Sequence, residues 1–107
     1  MGRFVLTVKG DQYHFVLQAG NYEPILQSEK YESKAAALNG IESVRKNSAR
    51  EGAFETKVAK NGESYFVLKA TNGQVVGQSE MYSSASGCNN GIESVKKNAP
   101  DAEVVEA

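Results

Sequence analysis

The sequence predicts an α+β fold: two tandem β-β-β-α-β repeats forming one antiparallel sheet, with both helices on one face. Three observations predict it. The chain repeats itself at an offset of 51 positions, and 18 of the 33 positions from Phe15 to Asn47 match their partners without a gap. A period of that size is one supersecondary unit, not a short solenoid turn. Each copy opens with apolar–polar alternation broken by glycine and asparagine, the pattern of strands joined by tight turns. Each copy then changes to apolar residues at helical spacing. The copies span about 1–53 and 54–107. A unit of about 50 residues buries little of its surface and is marginal alone. The 107 residues are therefore expected to form a single domain with one shared core and pseudo-twofold symmetry.

In chain order, Phe4, Leu6 and Val8 alternate as a first strand, and Gly10-Asp11 supplies a turn. Tyr13, Phe15, Leu17 and Ala19 alternate as a second strand, and Gly20-Asn21 marks the next turn. A third run covers residues 25–28, with Pro24 at its start, where its missing N–H costs the ladder least. The second copy repeats the meander over residues 54–58, 65–70 and 75–79. Its turns are Asn61-Gly62 and Asn72-Gly73, pairs that favour a two-residue type I′ hairpin.

A helix follows each meander. Ser33 or its neighbour caps the first, and Ser83 or Ser84 the second. Ala37, Ile41 and Val44 make one apolar stripe; Cys88, Ile92 and Val95 make its counterpart. Glu42 and Lys46, and Glu93 and Lys97, stand four apart in the favourable order for a surface ion pair. Asn47 and Asn98 suit a left-handed helix end. Short strands at residues 53–58 and 102–105 follow the helices. The first of them both closes copy one and opens copy two.

Composition narrows the function classes. A net charge of −1 and a pI near 5.8 give no long-range attraction for nucleic acid or an anionic membrane. One cysteine excludes an intramolecular disulfide and a Cys-based zinc site. The apolar start is too short and too interrupted for a signal sequence, and Leu6 breaks the myristoylation pattern at Gly2. No apolar run approaches the length needed to span a bilayer. A cytoplasmic monomer, an intramolecular pseudo-dimer, is expected, with no cofactor, no metal and no assigned partner.

The runs Gln-Ser-Glu-x-Tyr and Asn-Gly-Ile-Glu-Ser-Val-x-Lys-Asn occur in both copies. They resemble the YegP-like family of small, mostly bacterial proteins over nearly the whole chain. The resemblance implies β-β-β-α-β units that join in one sheet, each unit's last strand swapped onto the other. It implies no established activity, cofactor or catalytic residue.

His14 is a lone imidazole on the sheet face opposite Phe15 and Leu17, with no nucleophile at a recognisable spacing. Cys88 takes the place of Ala37 in the apolar stripe and is expected to be core. No catalytic set is identified. Gly40 and Gly91 lie mid-helix, where glycine costs about 1 kcal/mol against alanine. With Ala36 and Ser43, and with Gly87 and Ser94, they form small-residue lines that predict the close approach of another backbone, helix or sheet, across the pseudo-twofold; a ligand groove is the alternative. Gln27, Ser28, Glu29, Tyr31 and Asn39 recur as Gln78, Ser79, Glu80, Tyr82 and Asn90; a structural and a ligand task both fit. If a ligand face exists, it is expected at Asn39, Ser43 and Lys46, and at Asn90, Ser94 and Lys97. The sheet face away from the helices, with His14, Val16, Gln18, Tyr65, Val67 and Lys69, is a second surface. The function expected is that of a non-enzymatic binding or structural module. An enzyme with a site between the helices and a weak single-strand nucleic-acid binder are the alternatives.

Overall fold

The computed structural model describes residues 2–107. Strands β1 (Arg3–Lys9), β2 (Gln12–Gln18) and β3 (Pro24–Gln27) precede helix α1 (Lys34–Ser48). Strands β4 (Phe54–Val58), β5 (Ser64–Lys69) and β6 (Val75–Gln78) precede α2 (Ala85–Asn98), a 3₁₀ turn (Ala99–Asp101) and β7 (Glu103–Glu106). All seven strands form one sheet in the order β4-β5-β6-β3-β2-β1-β7. The two meanders meet at β3 and β6, where Gln27 faces Gln78, its own counterpart in the repeat. The pseudo-twofold axis passes through that pair.

The sheet is mixed, because β7 runs parallel to β1. It reaches β1 from α2 by a crossover, the kind of connection parallel neighbours require. Copy two's last strand thus lies on copy one, and the swap expected from the family resemblance is present on that side.

Phe4, Leu6, Phe15, Leu17, Leu26, Phe66 and Leu68 point to one face and form a single core with Ile41, Val44, Cys88 and Val95. Both helices cross the axis: α1 contacts β2, β5 and β6, and α2 contacts β3 and β5. A bulge interrupts β3 and β6 opposite the end of the neighbouring strand. It turns Ile25, and Val76 in the second copy, towards the core beside Leu26 and Gly77.

Ser33 and Ser84 cap the helices, each hydroxyl accepting from the amide three residues on. Three local expectations are corrected. Glu42 pairs with Arg45 and Glu93 with Lys96, three residues on, not with Lys46 and Lys97. Asn47 and Asn98 are not left-handed ends. Their side-chain amides donate back to the carbonyls of Ser43 and Ser94 at 2.8 Å, and the helices continue into Ala49 and Ala99. The Asn-Gly turns are not two-residue hairpins either. Gly62 donates to the Ala59 carbonyl and Gly73 to that of Ala70, and only the glycine of each pair has positive φ. That geometry is a three-residue loop closed by a glycine in the left-handed region.

The matching turn in copy one puts Tyr22 at that position, with φ 69°. Tyr22 is 62% exposed, and the Arg3 guanidinium lies 4.0 Å from its ring centre. Arginine stacking of about 0.5–1 kcal/mol offsets much of a left-handed penalty of roughly 1–2 kcal/mol. Copy two has Ala53 where Arg3 stands. Gly73→Tyr is therefore expected to lower stability by about 1–2 kcal/mol, while Tyr22→Gly stays close to wild type. Urea unfolding of the two variants checks this.

Candidate functional site

Most of the duplicated polar set is structural. The Ser28 hydroxyl accepts the Phe15 amide at 2.8 Å and donates to the Glu29 carbonyl at 2.7 Å. Ser79 does the same with Phe66 and Glu80, at 2.9 and 2.8 Å. Each serine fills the gap where its strand leaves the ladder. Tyr31 then rejoins β2 through paired backbone bonds with Tyr13, and Tyr82 rejoins β5 through Ser64. Their rings stack on Phe15 and Phe66, at centroid distances of 6.1 and 6.3 Å. Burial raises both phenol pKa values. Gly40 and Gly91 lie against these tyrosines. The small-residue lines therefore admit a ring from the same copy, not a backbone across the axis.

The expected ligand face divides. Ser43 and Ser94 are half-buried and accept the bonds from Asn47 and Asn98. Asn39 and Lys46 on α1, and Asn90 and Lys97 on α2, are exposed. Among these six residues only Asn90 lines one of the grooves described below. His14 is half-buried on the open sheet face, beside a hollow it shares with Lys9, Gln12 and Lys30. Val5, Val16, Gln27, Gln78, Val67 and Glu55 form one row across that face. A groove of about 270 Å³ lies over its centre, between Gln27, Glu29, Gln78 and Ser79.

Cys88 is 0% exposed. Burial pushes its thiol pKa up, and a hydrogen bond with the Thr56 side chain opposes that shift. Alkylation in the native protein is expected to be more than about a hundredfold slower than in urea, because reaction waits for local opening. Thiol-reagent kinetics with and without denaturant check it; equal rates would contradict the burial. Among the described residues, no three His, Cys, Asp or Glu side chains cluster to hold a metal, and no helix is long and apolar enough to cross a membrane.

The two ends of the sheet are not equivalent, and this is the feature the sequence reading missed. At one end β7 covers the outer edge of β1. Arg45 of α1 donates to the Ala102 carbonyl at the entry of β7, and Lys34 pairs with Glu106 at 2.7 Å. Under this cover Phe4 and Ile41 are both 0% exposed. At the other end β4 is the outermost strand. Phe54 occupies the place of Phe4, facing Leu68 as Phe4 faces Leu17. Phe54 and Ile92 are only partly buried. A groove of about 360 Å³ opens between β4 and α2, lined by Gly52, Phe54, Asn90, Ile92, Glu93 and Lys96, among others. Lys96 stands 5.8 Å from the Phe54 ring centre, as Arg45 stands 5.4 Å from that of Phe4.

The ladder shows which groups of β4 are unused. Lys69 donates to the Ala53 carbonyl at 2.8 Å, so Ala53, Glu55 and Lys57 bond to β5. In an antiparallel pair the intervening residues point their N–H and C=O groups the other way. Phe54, Thr56 and Val58 therefore present theirs to the bare edge. At the covered end the corresponding Leu6 carbonyl accepts the Ala107 amide at 2.9 Å. The signal was present in the sequence: residues 52–55 are the repeat counterparts of β7, yet they also begin copy two. Gly52, with φ 81°, turns the chain out of α1 directly into β4.

Comparison with known proteins agrees with this partition. The family model described as Domain of unknown function (DUF1508) matches residues 9–55 and 59–106. The two matched units end at equivalent positions, inside β4 and at the end of β7. The chain is 60% identical over 94 residues to a UPF0339 protein of Pseudomonas aeruginosa, covering 88% of this chain and 86% of that protein. It is 53% identical over 98 residues to the UPF0339 protein YegP of Shigella flexneri, covering 91% and 89%. The solution structure of a UPF0339 protein from Shewanella oneidensis superposes with a TM-score of 0.92 at 46% identity, covering 98% of this chain and 90% of that one. The structure of yegP from E. coli, described as a protein of unknown function, gives 0.91 at 49% identity, covering 98% and 91%. None of these descriptions assigns an enzyme activity. With both units matched in tandem, the chain belongs to the DUF1508 family, the family of YegP.

Proposed function

We propose that this protein is a non-catalytic binding module whose working surface is the bare β4 edge together with the α2 groove. One observation carries the reading: the same seat, with Phe54 and Ile92 in the places of Phe4 and Ile41, is filled by β7 at one end of the sheet and, among the described residues, by no strand at the other. Residues 52–55, copy one's counterpart of β7, cannot fill it because they run into β4 itself. An outermost strand with unpaired backbone groups is a template for adding another strand. The partly exposed Phe54 and Ile92 beside it supply apolar area to bury. Of the face expected from sequence, Asn90 belongs to this surface, with Lys96 in place of Lys97. In this reading the chain is a cytoplasmic monomer, an intramolecular pseudo-dimer with one half-interface open.

Site-specific photo-crosslinking in cells tests it. A photoreactive residue replacing Lys57 is expected to capture a partner through one contiguous segment of that partner, located by peptide mapping. The same residue at Val105, on the β7 edge, is the control. Equal labelling from both positions, or scattered labelling of many proteins, would contradict the reading.

A further inference from the structure

The filled seat also specifies what the bare one accepts. We infer that the β4 edge takes an extended peptide segment of another protein, parallel to β4, with a β-branched residue against Phe54 and Ile92 and an uncharged remainder. This rests on the binding-module reading above and adds direction and chemistry to it.

Direction follows from the covered end. There β7 starts beside Arg3 and runs with β1, Val104 lying next to Phe4 on the helix side. A segment placed in the same way on β4 starts beside Ala53 and sets its second residue next to Phe54. Lys96 then stands where Arg45 stands. Arg45 donates to the carbonyl that precedes β7. The Lys96 ammonium, whose side chain is 47% exposed, has the same position and can donate to the carbonyl preceding the guest.

Chemistry follows from the differences between the two ends. β7 carries an acid at each end. Glu103 lies opposite Arg3, and Glu106 bonds Lys34. The counterparts of these cations at the bare end are Ala53 and Ala85, so neither of these two ion pairs forms there. On the open face, Val105 lies opposite Val5, whose counterpart is Glu55. Glu55 already bonds Lys69 across the strands and lies 3.9 Å from Lys57, so its charge is compensated and this position takes an uncharged β-branched residue, as β7 has at Val105. The seat is therefore a poor match for β7 of a second copy, and the occupant is a different protein.

Two capped hexapeptides titrated into the full-length, ¹⁵N-labelled protein test this. One is Ala-Glu-Val-Val-Glu-Ala, the native β7 sequence. The other is Ala-Thr-Val-Val-Thr-Ala, matched to the bare seat. The second is expected to bind more tightly by about fivefold, the sum of a few cross-strand pair differences. Its saturable shifts should fall within residues 52–58 and 89–96. A spin label on its N-terminus should broaden the amides near Ala53 and leave those near Val58 sharp. Thr56→Pro, which removes an outward N–H, should abolish binding. Asn90→Trp, which fills the groove from α2, should do the same if the proline variant does not keep the wild-type spectrum.

Equal or stronger binding of the acidic peptide, or broadening near Val58, would overturn the inference and leave the edge a binding surface. A concentration-dependent dimer in sedimentation that is lost in Thr56→Pro would make a second copy the occupant and also overturn it. If neither peptide moves the β4 and α2 amides, and crosslinking from position 57 finds no defined segment, both the inference and the underlying reading fall.

Discussion

Gly40→Ala and Gly91→Ala are each expected to destabilise the protein, although alanine is the better helix former by about 1 kcal/mol. A Cβ on Gly40 would collide with the Tyr31 hydroxyl, 2.8 Å from Cζ and 3.0 Å from Phe15 Cε2. On Gly91 it would collide with the Tyr82 hydroxyl, 2.7 Å from Cζ and 3.0 Å from Phe66 Cε2. Both rings are partly buried and held in place. Each is stacked on its phenylalanine, and its backbone is held by two bonds, at 2.8 and 2.6 Å for Tyr31 and at 2.9 and 2.7 Å for Tyr82. To admit the methyl, the helix or the stacked ring must shift. The net loss is expected to be about 1–3 kcal/mol, the usual range for overpacking. Tyr31→Phe removes the atom nearest the added methyl. In the Gly40→Ala background it should therefore recover part of the loss, a coupling that double-mutant analysis resolves. Urea midpoints for the single and double variants decide the matter. Alanine variants that unfold later than wild type would show that the tyrosines yield.

That close approach shows what a one-dimensional reading can and cannot contain. The repeat offset, the period-two runs and the helical stripes were all legible, because each is a pattern in neighbouring residues. Glycine at the centre of a helix was legible as a packing device for the same reason. Its partner was not, since Tyr31 reaches Gly40 only after the chain has turned back from β2. The bulge that turns Ile25 inward was invisible for a related reason: it depends on the register between strands. The Asn-Gly turns were misread by one residue because loop length, not residue type, selects the hairpin. The ligand face chosen from α1 and α2 treated both copies alike. Ser43 and Ser94 proved to be occupied by Asn47 and Asn98, and the candidate surface lies where the copies differ. A duplicated sequence draws the eye to what is repeated. Here the informative residues are those whose environment is not: Phe54 against Phe4, Ile92 against Ile41, and Ala85 against Lys34.

The same asymmetry governs the centre of the sheet, where exchanging two residues is expected to be far less damaging than changing either alone. Leu26 and Gly77 are repeat counterparts on either side of the pseudo-twofold axis, next to the Gln27–Gln78 pair. Leu26 is 0% exposed, and a Cβ on Gly77 would lie 2.7 Å from its Cγ and Cδ2. Two leucines cannot share the axis, and two glycines would leave a void. One of each fills it. Gly77→Leu should cost about 1–3 kcal/mol or more as overpacking. Leu26→Gly should cost at least the roughly 2–5 kcal/mol typical of a buried leucine cut to alanine, since glycine also loosens the strand. The walls of the site are nearly symmetric, with Phe15 and Leu17 on one side and Phe66 and Leu68 on the other. Leu26→Gly combined with Gly77→Leu should therefore return more than half of the summed loss. The remainder reflects Ile25 and Val76, which differ in size beside the exchanged positions. Urea unfolding of the four proteins in the cycle measures the coupling directly. Strictly additive losses would mean that Leu26 does not occupy the space Gly77 leaves, and that the two halves meet without sharing a side chain at their axis.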